Sequence, residues 1–205
     1  MFRQNYYKTS FSKSILNIRS EKYNYGLEVA FIGYSNSGKS STINALTNQK
    51  RLAKISKTPG RTQLINVFSV SSRVRLVDLP GYGYTKAPRC LSKSWKRKIF
   101  QYLNIQKCLK GLVILIDIRF SIKEIDKIVI NLAISLNIPI LLLLNKIDKV
   151  IFSFQKEKLC LVRKEMSNLS KNIQVELFSA IKKIGVEQLK SILDSWLFLE
   201  TENIL

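Results

Sequence analysis

The run Gly33-Tyr34-Ser35-Asn36-Ser37-Gly38-Lys39-Ser40-Ser41 spells GxxxxGK[ST] directly after an apolar segment and before a helical one. That is the context in which the pattern cradles phosphate. Glycines let the backbone curl so that successive N–H groups face a β-phosphate, and the N-terminus of the following helix adds its positive end. Lys39 is placed to reach β- and γ-phosphates, and the Ser40 hydroxyl to ligate Mg²⁺. Alone, the run also reads as a Gly/Ser turn that happens to hold a lysine.

Three later segments decide between the two. Asp78-Leu79-Pro80-Gly81 closes the hydrophobic stretch RLVD. A carboxylate there suits contact with Mg²⁺ through a water, and Gly81 has no side chain to keep its N–H from a γ-phosphate. Asn145-Lys146-Ile147-Asp148 ends the run ILLLL. The Asp148 carboxylate can accept from N1–H and the exocyclic amine of guanine. Adenine offers neither donor, and an unpaired buried carboxylate is penalised, so discrimination of ~10⁴-fold is within reach. Asn145 is positioned to tie this loop to the phosphate loop, and the Lys146 stem to lie over the base plane. Phe178-Ser179-Ala180 ends the last apolar stretch; the Ala180 N–H can meet guanine O6 while Ser179 orders the loop. Each string is an ordinary turn by itself. In this order, at successive strand ends, they meet the demands of a guanine nucleotide bound outside the carboxyl ends of strands.

The elements that must hold these loops alternate. Strands are expected at 28–32, 64–70, 73–78, 111–117, 139–144 and 174–178, and helices at 39–47, 92–106, 123–136, 153–170 and 185–198. The second and third strands are joined by a short Ser-Ser connection and read as a hairpin. The apolar runs at 111–118 and 138–145 are too short to cross a bilayer and read as parallel strands buried on both faces. The expected fold is therefore α/β: the three-layer sandwich of P-loop NTPases, with a mostly parallel six-stranded sheet, one antiparallel strand, and helices on both faces. Residues 1–22 lack clear periodicity and read as an N-terminal arm or extension; residues 23–205 read as a single nucleotide-binding domain.

The chain has 205 residues and a formal charge of +20. The excess is concentrated: residues 29–123 hold eighteen Lys/Arg against Asp78 and Asp117 alone, whereas residues 124–205 hold eleven against ten acids. A compositional bias toward lysine would not be so local. A one-sided field of this size calls for a polyanion, and without a lipidation motif or amphipathic anchor that polyanion reads as nucleic acid, not membrane. Segment 86–110, with KSWKRK at 93–98, has eight basic residues and no acid. It is either a solvated helix face, with Trp95 in the core, or a docking surface for RNA phosphates. Cys90, Cys108 and Cys160 form no CxxC pair and the chain has no histidine, which argues against zinc, a disulfide framework and histidine catalysis. Free thiols and no signal peptide suggest the cytoplasm.

Together GYSNSGKSS, KTPGRTQLINVF, LVDLPGYGY, LLLLNKIDK and FSAIKKIGVEQL resemble the bacterial EngB (YihA/YsxC) family of TRAFAC-class P-loop GTPases over about residues 10–198. DIRFSIKEID at 117–126 matches in style. The resemblance implies a GTPase needed for assembly of the large ribosomal subunit, with a link to septation in cell division. It acts on rRNA and ribosomal proteins, not on DNA or membrane; nothing suggests an obligate dimer. It also implies that Gly60, Arg61, Thr62, Gln63 and Leu64 wrap the γ-phosphate and that Thr62 is the second Mg²⁺ ligand, in preference to Thr58. Lys39, Thr62 and Gly81 would then carry catalysis. Tyr82 stands where Ras-like enzymes have a water-positioning glutamine, so hydrolysis should be slow without help. Asn36 is similar to the K⁺-linked residue of such hydrophobic-substituted GTPases; it either binds K⁺ or braces the loop. Two rivals stand beside this reading. A P-loop ATPase or kinase conflicts with Asp148. The other is a basic RNA-binding module whose nucleotide site is only structural.

Overall fold

The structure is a computed structural model and describes residues 3–16, 25–54, 64–83 and 89–198, with side chains of the last stretch from residue 95 onward. Its strands are β1 (Ser10–Ile15), β2 (Leu27–Gly33), β3 (Ile65–Ser69), β4 (Val74–Asp78), β5 (Leu109–Asp117), β6 (Ile140–Asn145) and β7 (Ile173–Phe178). Its helices are α1 (Lys39–Thr47), α2 (Arg89–Ile105), α3 (Glu124–Ser135), α4 (Phe152–Ser167) and α5 (Val186–Phe198). The strands form one sheet in the order β1-β3-β4-β2-β5-β6-β7. β3 pairs antiparallel with both β1 and β4, and every other pairing is parallel, so β3 alone runs against the rest.

The sheet has seven strands, not the expected six. The extra one, β1, buries only Ile15 of its six residues and slips register against β3 between Phe11 and Lys13. An edge strand held by backbone pairing to one neighbour needs no hydrophobic alternation, which removes the signal that would reveal it. The turn before β1 is also tied down. Tyr6 is buried and its hydroxyl donates to Asp194 Oδ1 at 2.8 Å on α5, while Gln49 Nε2 donates to the carbonyls of Tyr7 and Thr9 at 3.2 and 2.6 Å.

Central strands bury both faces, as their unbroken apolar runs require. On one face Val29, Phe31, Val113, Leu115, Leu141 and Leu143 pack against α1 and α5. On the other, Ala30, Ile32, Val77, Ile114, Leu142 and Leu144 pack against α2, α3 and α4. Among the described residues, no helix is long and apolar enough to cross a membrane.

One glycine sets how closely α5 approaches. A Cβ on Gly111 of β5 would lie 2.0 Å from Cε3 of Trp196. Both are buried in the centre of a layer, where neither has room to retreat. Gly111→Ala is expected to cost about 1–3 kcal/mol by overpacking, read as a lower urea midpoint with an unchanged slope.

Candidate functional site

The loops that follow β2, β4, β6 and β7 lie at the carboxyl end of the sheet and bond directly to one another. α1 starts at Lys39 because Gly38 adopts φ +101°, which turns the chain sharply before the first helical residue. A Cβ on Gly38 would come 2.2 Å from Nδ2 of Asn145. That amide donates to Ser37 O at 2.8 Å, and Asn145 Oδ1 accepts the Lys146 N–H at 2.7 Å. Lys146 Nζ donates to Asn36 O at 2.6 Å. The loop of residues 33–38 and the loop of 145–148 are thus one bonded unit.

The sequence places Lys39 and Asp78 at separate loops; the fold brings them into direct contact, Lys39 Nζ against Asp78 Oδ1. Ser40, half-buried, follows in the first turn of α1. A hydroxyl such as that of Ser40 and a carboxylate such as that of Asp78 are hard-oxygen groups of the kind that suits Mg²⁺, which takes few protein ligands and completes its shell with phosphate and water. No group of three or more His, Cys, Asp or Glu capable of holding a metal alone occurs among the described residues.

Leu79, Pro80, Gly81 and Tyr82 are held against the phosphate loop. The Ser35 N–H donates to Tyr82 O at 2.7 Å, the Tyr82 N–H to Gly33 O at 3.2 Å, and the Leu79 N–H to Phe31 O at 2.9 Å. A Cβ on Gly81 would lie 3.2 Å from Gly33 O. The Ser35 and Ser37 N–H groups, the latter on Tyr34 O at 2.9 Å, hold the loop's shape. The Tyr82 side chain is buried and its hydroxyl donates to Asp126 on α3. Burial, reinforced by that carboxylate, raises the phenol well above its ordinary range.

At the other end, Asp148 Oδ1 accepts the Ser179 hydroxyl at 2.5 Å, and this bond lowers the carboxyl from its ordinary range. Ile147 is buried beneath, as is Phe178, which ends β7; Ser179 exchanges backbone bonds with Ile184 at 3.1 Å, and Ala180 follows half-buried. Leu64, just before β3, is half-buried. Gly60, Arg61, Thr62 and Gln63 lie outside the described residues, as does Thr58.

Sequence reasoning assigned no role to Asp117 or Arg119. Asp117, at the end of β5, pairs with Lys146 Nζ at 3.0 Å and takes two bonds from the Arg119 guanidinium at 2.9 and 2.7 Å. Burial raises the Asp117 carboxyl, but the bonds from Arg119 and Lys146 outweigh it and bring it down to about 2. Asp117 thereby fixes the Lys146 ammonium. A carboxylate at the end of an apolar strand, two residues before an arginine, was the available signal.

A mostly parallel sheet whose GxxxxGKS loop is bonded to an NKxD loop on one side and to a DxPG loop on the other defines a P-loop GTPase domain. The profile described as 50S ribosome-binding GTPase matches residues 28–146, and that of the elongation factor Tu GTP-binding domain matches residues 103–198. The chain is 69% identical to the probable GTP-binding protein EngB of Buchnera aphidicola subsp. Baizongia pistaciae, over 96% of this chain and 86% of that one. Against the protein of the same description from Yersinia pestis it is 51% identical, over 94% of this chain and 89% of that one. A crystal structure of a probable GTP-binding protein engB superposes with a TM-score of 0.66 at 22% identity, covering 83% of this chain and 98% of the other. Era in complex with MgGDPNP and a segment of 16S ribosomal RNA superposes at 0.63 with 23% identity, covering 85% and 57%. The chain belongs to the EngB family of GTP-binding proteins.

Proposed function

We propose that this chain is a GTP-driven switch with slow intrinsic hydrolysis that binds the large ribosomal subunit or its precursor during assembly, as a monomer in the cytoplasm. The observation that carries the nucleotide half is the bonding of the phosphate loop to the base loop through Asn145–Ser37 and Lys146–Asn36. One ligand then spans Lys39 at one end and Asp148 at the other.

In this reading Lys39 leaves Asp78 for the β- and γ-phosphates, and the Gly81 N–H meets the γ-phosphate. Asp148 accepts from N1–H and the amine of guanine, with Ala180 N–H on O6. Bound Mg²⁺ would be held by the hydroxyls of Ser40 and Thr62, with Asp78 reached through water, and would neutralise charge developing on the phosphate oxygens. The other loop residues, Gly33, Tyr34, Leu79, Pro80, Ile147 and Phe178, shape the walls, and Gly60 to Leu64 would wrap the γ-phosphate. The Tyr82 hydroxyl is buried on Asp126 and so is spent within the fold, and this supports a turnover at or below ~10⁻³ s⁻¹ until a partner or ion assists. K⁺ at Asn36, whose side chain is exposed, would supply positive charge there. Hydrolysis faster in KCl than in NaCl is expected; equal rates, with and without ribosomes, would remove the ion from the reading.

The ribosomal half is supported by the basic residues of α2, which follows the DxPG loop, and by the description of the matching family profile. Arg97 is exposed and Lys96 and Lys98 are half-buried on α2. Reversal of Lys93, Lys96, Arg97 and Lys98 to Glu should abolish binding to 50S particles in a non-hydrolysable GTP analogue. Milder single reversals should each lower the salt slope by ~1. Affinity and slope like those of the unmodified protein, or equal binding with GDP and with the analogue, would overturn this half.

A further inference from the structure

Gly81 is fixed mostly by side chains from outside its own loop. The Trp95 indole donates to Pro80 O at 2.8 Å, and the Tyr34 hydroxyl donates to Gly83 O at 2.6 Å. Between these anchors, Tyr82 bonds the phosphate loop through its N–H and carbonyl, and its side chain is 3% exposed. The ring meets Trp95 edge-on at 4.9 Å and Tyr34 at 5.9 Å, and its hydroxyl donates to Asp126 Oδ1. Asp126 Oδ2 accepts the Lys123 N–H at 2.7 Å at the start of α3, and the Lys123 ammonium sits 3.4 Å from the centre of the Tyr34 ring. Contacts therefore run in a closed circuit: from Tyr34 in the phosphate loop to Tyr82 and Gly83, to Asp126, to Lys123, and back to Tyr34.

Such a circuit is costly to assemble. It buries a phenol and a carboxylate that phenylalanine and an apolar residue could replace with less desolvation. It also requires glycine at 83, where φ is +82° and a Cβ would lie 1.8 Å from the Tyr34 ring. What these contacts achieve is a single geometry for the Gly81 peptide, which sits directly between Pro80 O and the Tyr82 backbone bonds.

We propose that Tyr82 and Asp126, with Tyr34 and Lys123, are positioning residues that hold the Gly81 N–H where a terminal phosphate is recognised, so that the circuit sets the preference for nucleoside triphosphate over diphosphate. The inference rests on the reading that Gly81 meets the γ-phosphate. Neither Tyr82 nor Asp126 touches the nucleotide; each acts through the loop.

The test is the ratio of affinities for GDP and a non-hydrolysable GTP analogue, measured by fluorescence titration beside the melting temperature. Tyr82→Phe removes only the hydroxyl and is expected to weaken the analogue ~5–10-fold while GDP stays within ~2-fold. Asp126→Ala should do the same, and Asp126→Asn, which keeps an oxygen for the Tyr82 hydroxyl, should recover part of the loss. Lys123→Ala, which removes an exposed ammonium from the Tyr34 ring, should shift the ratio ~2–3-fold. A merely structural role would lower the melting temperature and leave the ratio untouched. Unchanged ratios in Tyr82→Phe and Lys123→Ala overturn the proposal, and if Tyr82→Phe does not fold, Asp126→Asn and Lys123→Ala decide in its place. Failure of the unmodified protein to bind either nucleotide would instead overturn the nucleotide reading itself.

Discussion

Asp148→Asn is expected to weaken GTP binding by ~10²–10⁴-fold and to transfer preference to xanthine nucleotides. The carboxylate that accepts from guanine N1–H and the exocyclic amine becomes an amide, which presents a donor where the amine also donates. Xanthine carries a carbonyl at that carbon and can accept from the new amide. The geometry makes the effect large, because Asp148 is not free to swing aside. The Ser179 hydroxyl holds its Oδ1 at 2.5 Å, and Lys149 Nζ stands 3.7 Å from its Oδ2. The bond from Ser179 also keeps the carboxyl below its usual range, so it is ionised throughout the physiological range. Competition of GTP, XTP and ATP for a fluorescent guanine nucleotide on the variant and the unmodified protein reads the outcome. A variant that keeps its GTP affinity would show that Asp148 does not read the base, and ATP competing on equal terms with GTP in the unmodified protein would favour the ATPase rival.

The second large effect is expected from Gly38→Ala, which should cost ~10²-fold or more in affinity for GTP and GDP alike. An alanine at φ +101° is strained by Cβ contact with its own carbonyl, a cost of roughly 1–2 kcal/mol. The added methyl would also meet Asn145 Nδ2 at 2.2 Å. Asn145 is buried and already bonded on both sides of its amide, to Ser37 O and to the Lys146 N–H, so it cannot yield without breaking the joint between the two loops. Both ends of the nucleotide site would loosen at once. Isothermal titration with GDP, which needs no γ-phosphate contact, separates this effect from that of the Tyr82 variants, in which GDP binding is expected to survive.

Much of this architecture is legible in the sequence because it is local. α1 begins and ends where the string says it should, at Lys39 after the left-handed Gly38 and at Thr47 before Asn48, itself at φ +53°. β6 is found from ILLLL because a run apolar at both parities, short and flanked by polar segments, fits a strand buried on two faces. The hairpin of β3 and β4 follows from a short polar connection. β1 is not legible because an edge strand with one buried side chain has no period to read.

Charge is where counting misleads most. Arg75 belongs to the basic excess by composition, yet it is buried, bonded to the buried carboxylate of Glu28 at 2.8 Å and to Tyr25 O at 2.8 Å. Lys39 lies on Asp78, and Arg119 on Asp117. These cations serve partners within the chain, so the formal charge overstates what they present to a polyanion. Trp95, which composition alone would put in the core, is half-buried and spends its indole N–H on Pro80 O, whereas Trp196 is the tryptophan that lies on the sheet against Gly111.

By itself, the sequence determined that guanine nucleotide chemistry sits at four strand ends, since each loop carries its own short string and the order of strings follows the order of strands. It determined the element types as well, because periodicity and turn residues act over a few positions. Only the tertiary structure decided the further side chains that hold those loops in place: Lys146 on Asn36, Asp117 under Lys146, Asp126 beneath Tyr82. These pairs are separated by many residues along the chain, and a polar residue's distant partner leaves no mark on the local pattern. It is set when the packed sheet and helices bring the two together and burial makes leaving either one unpaired too costly.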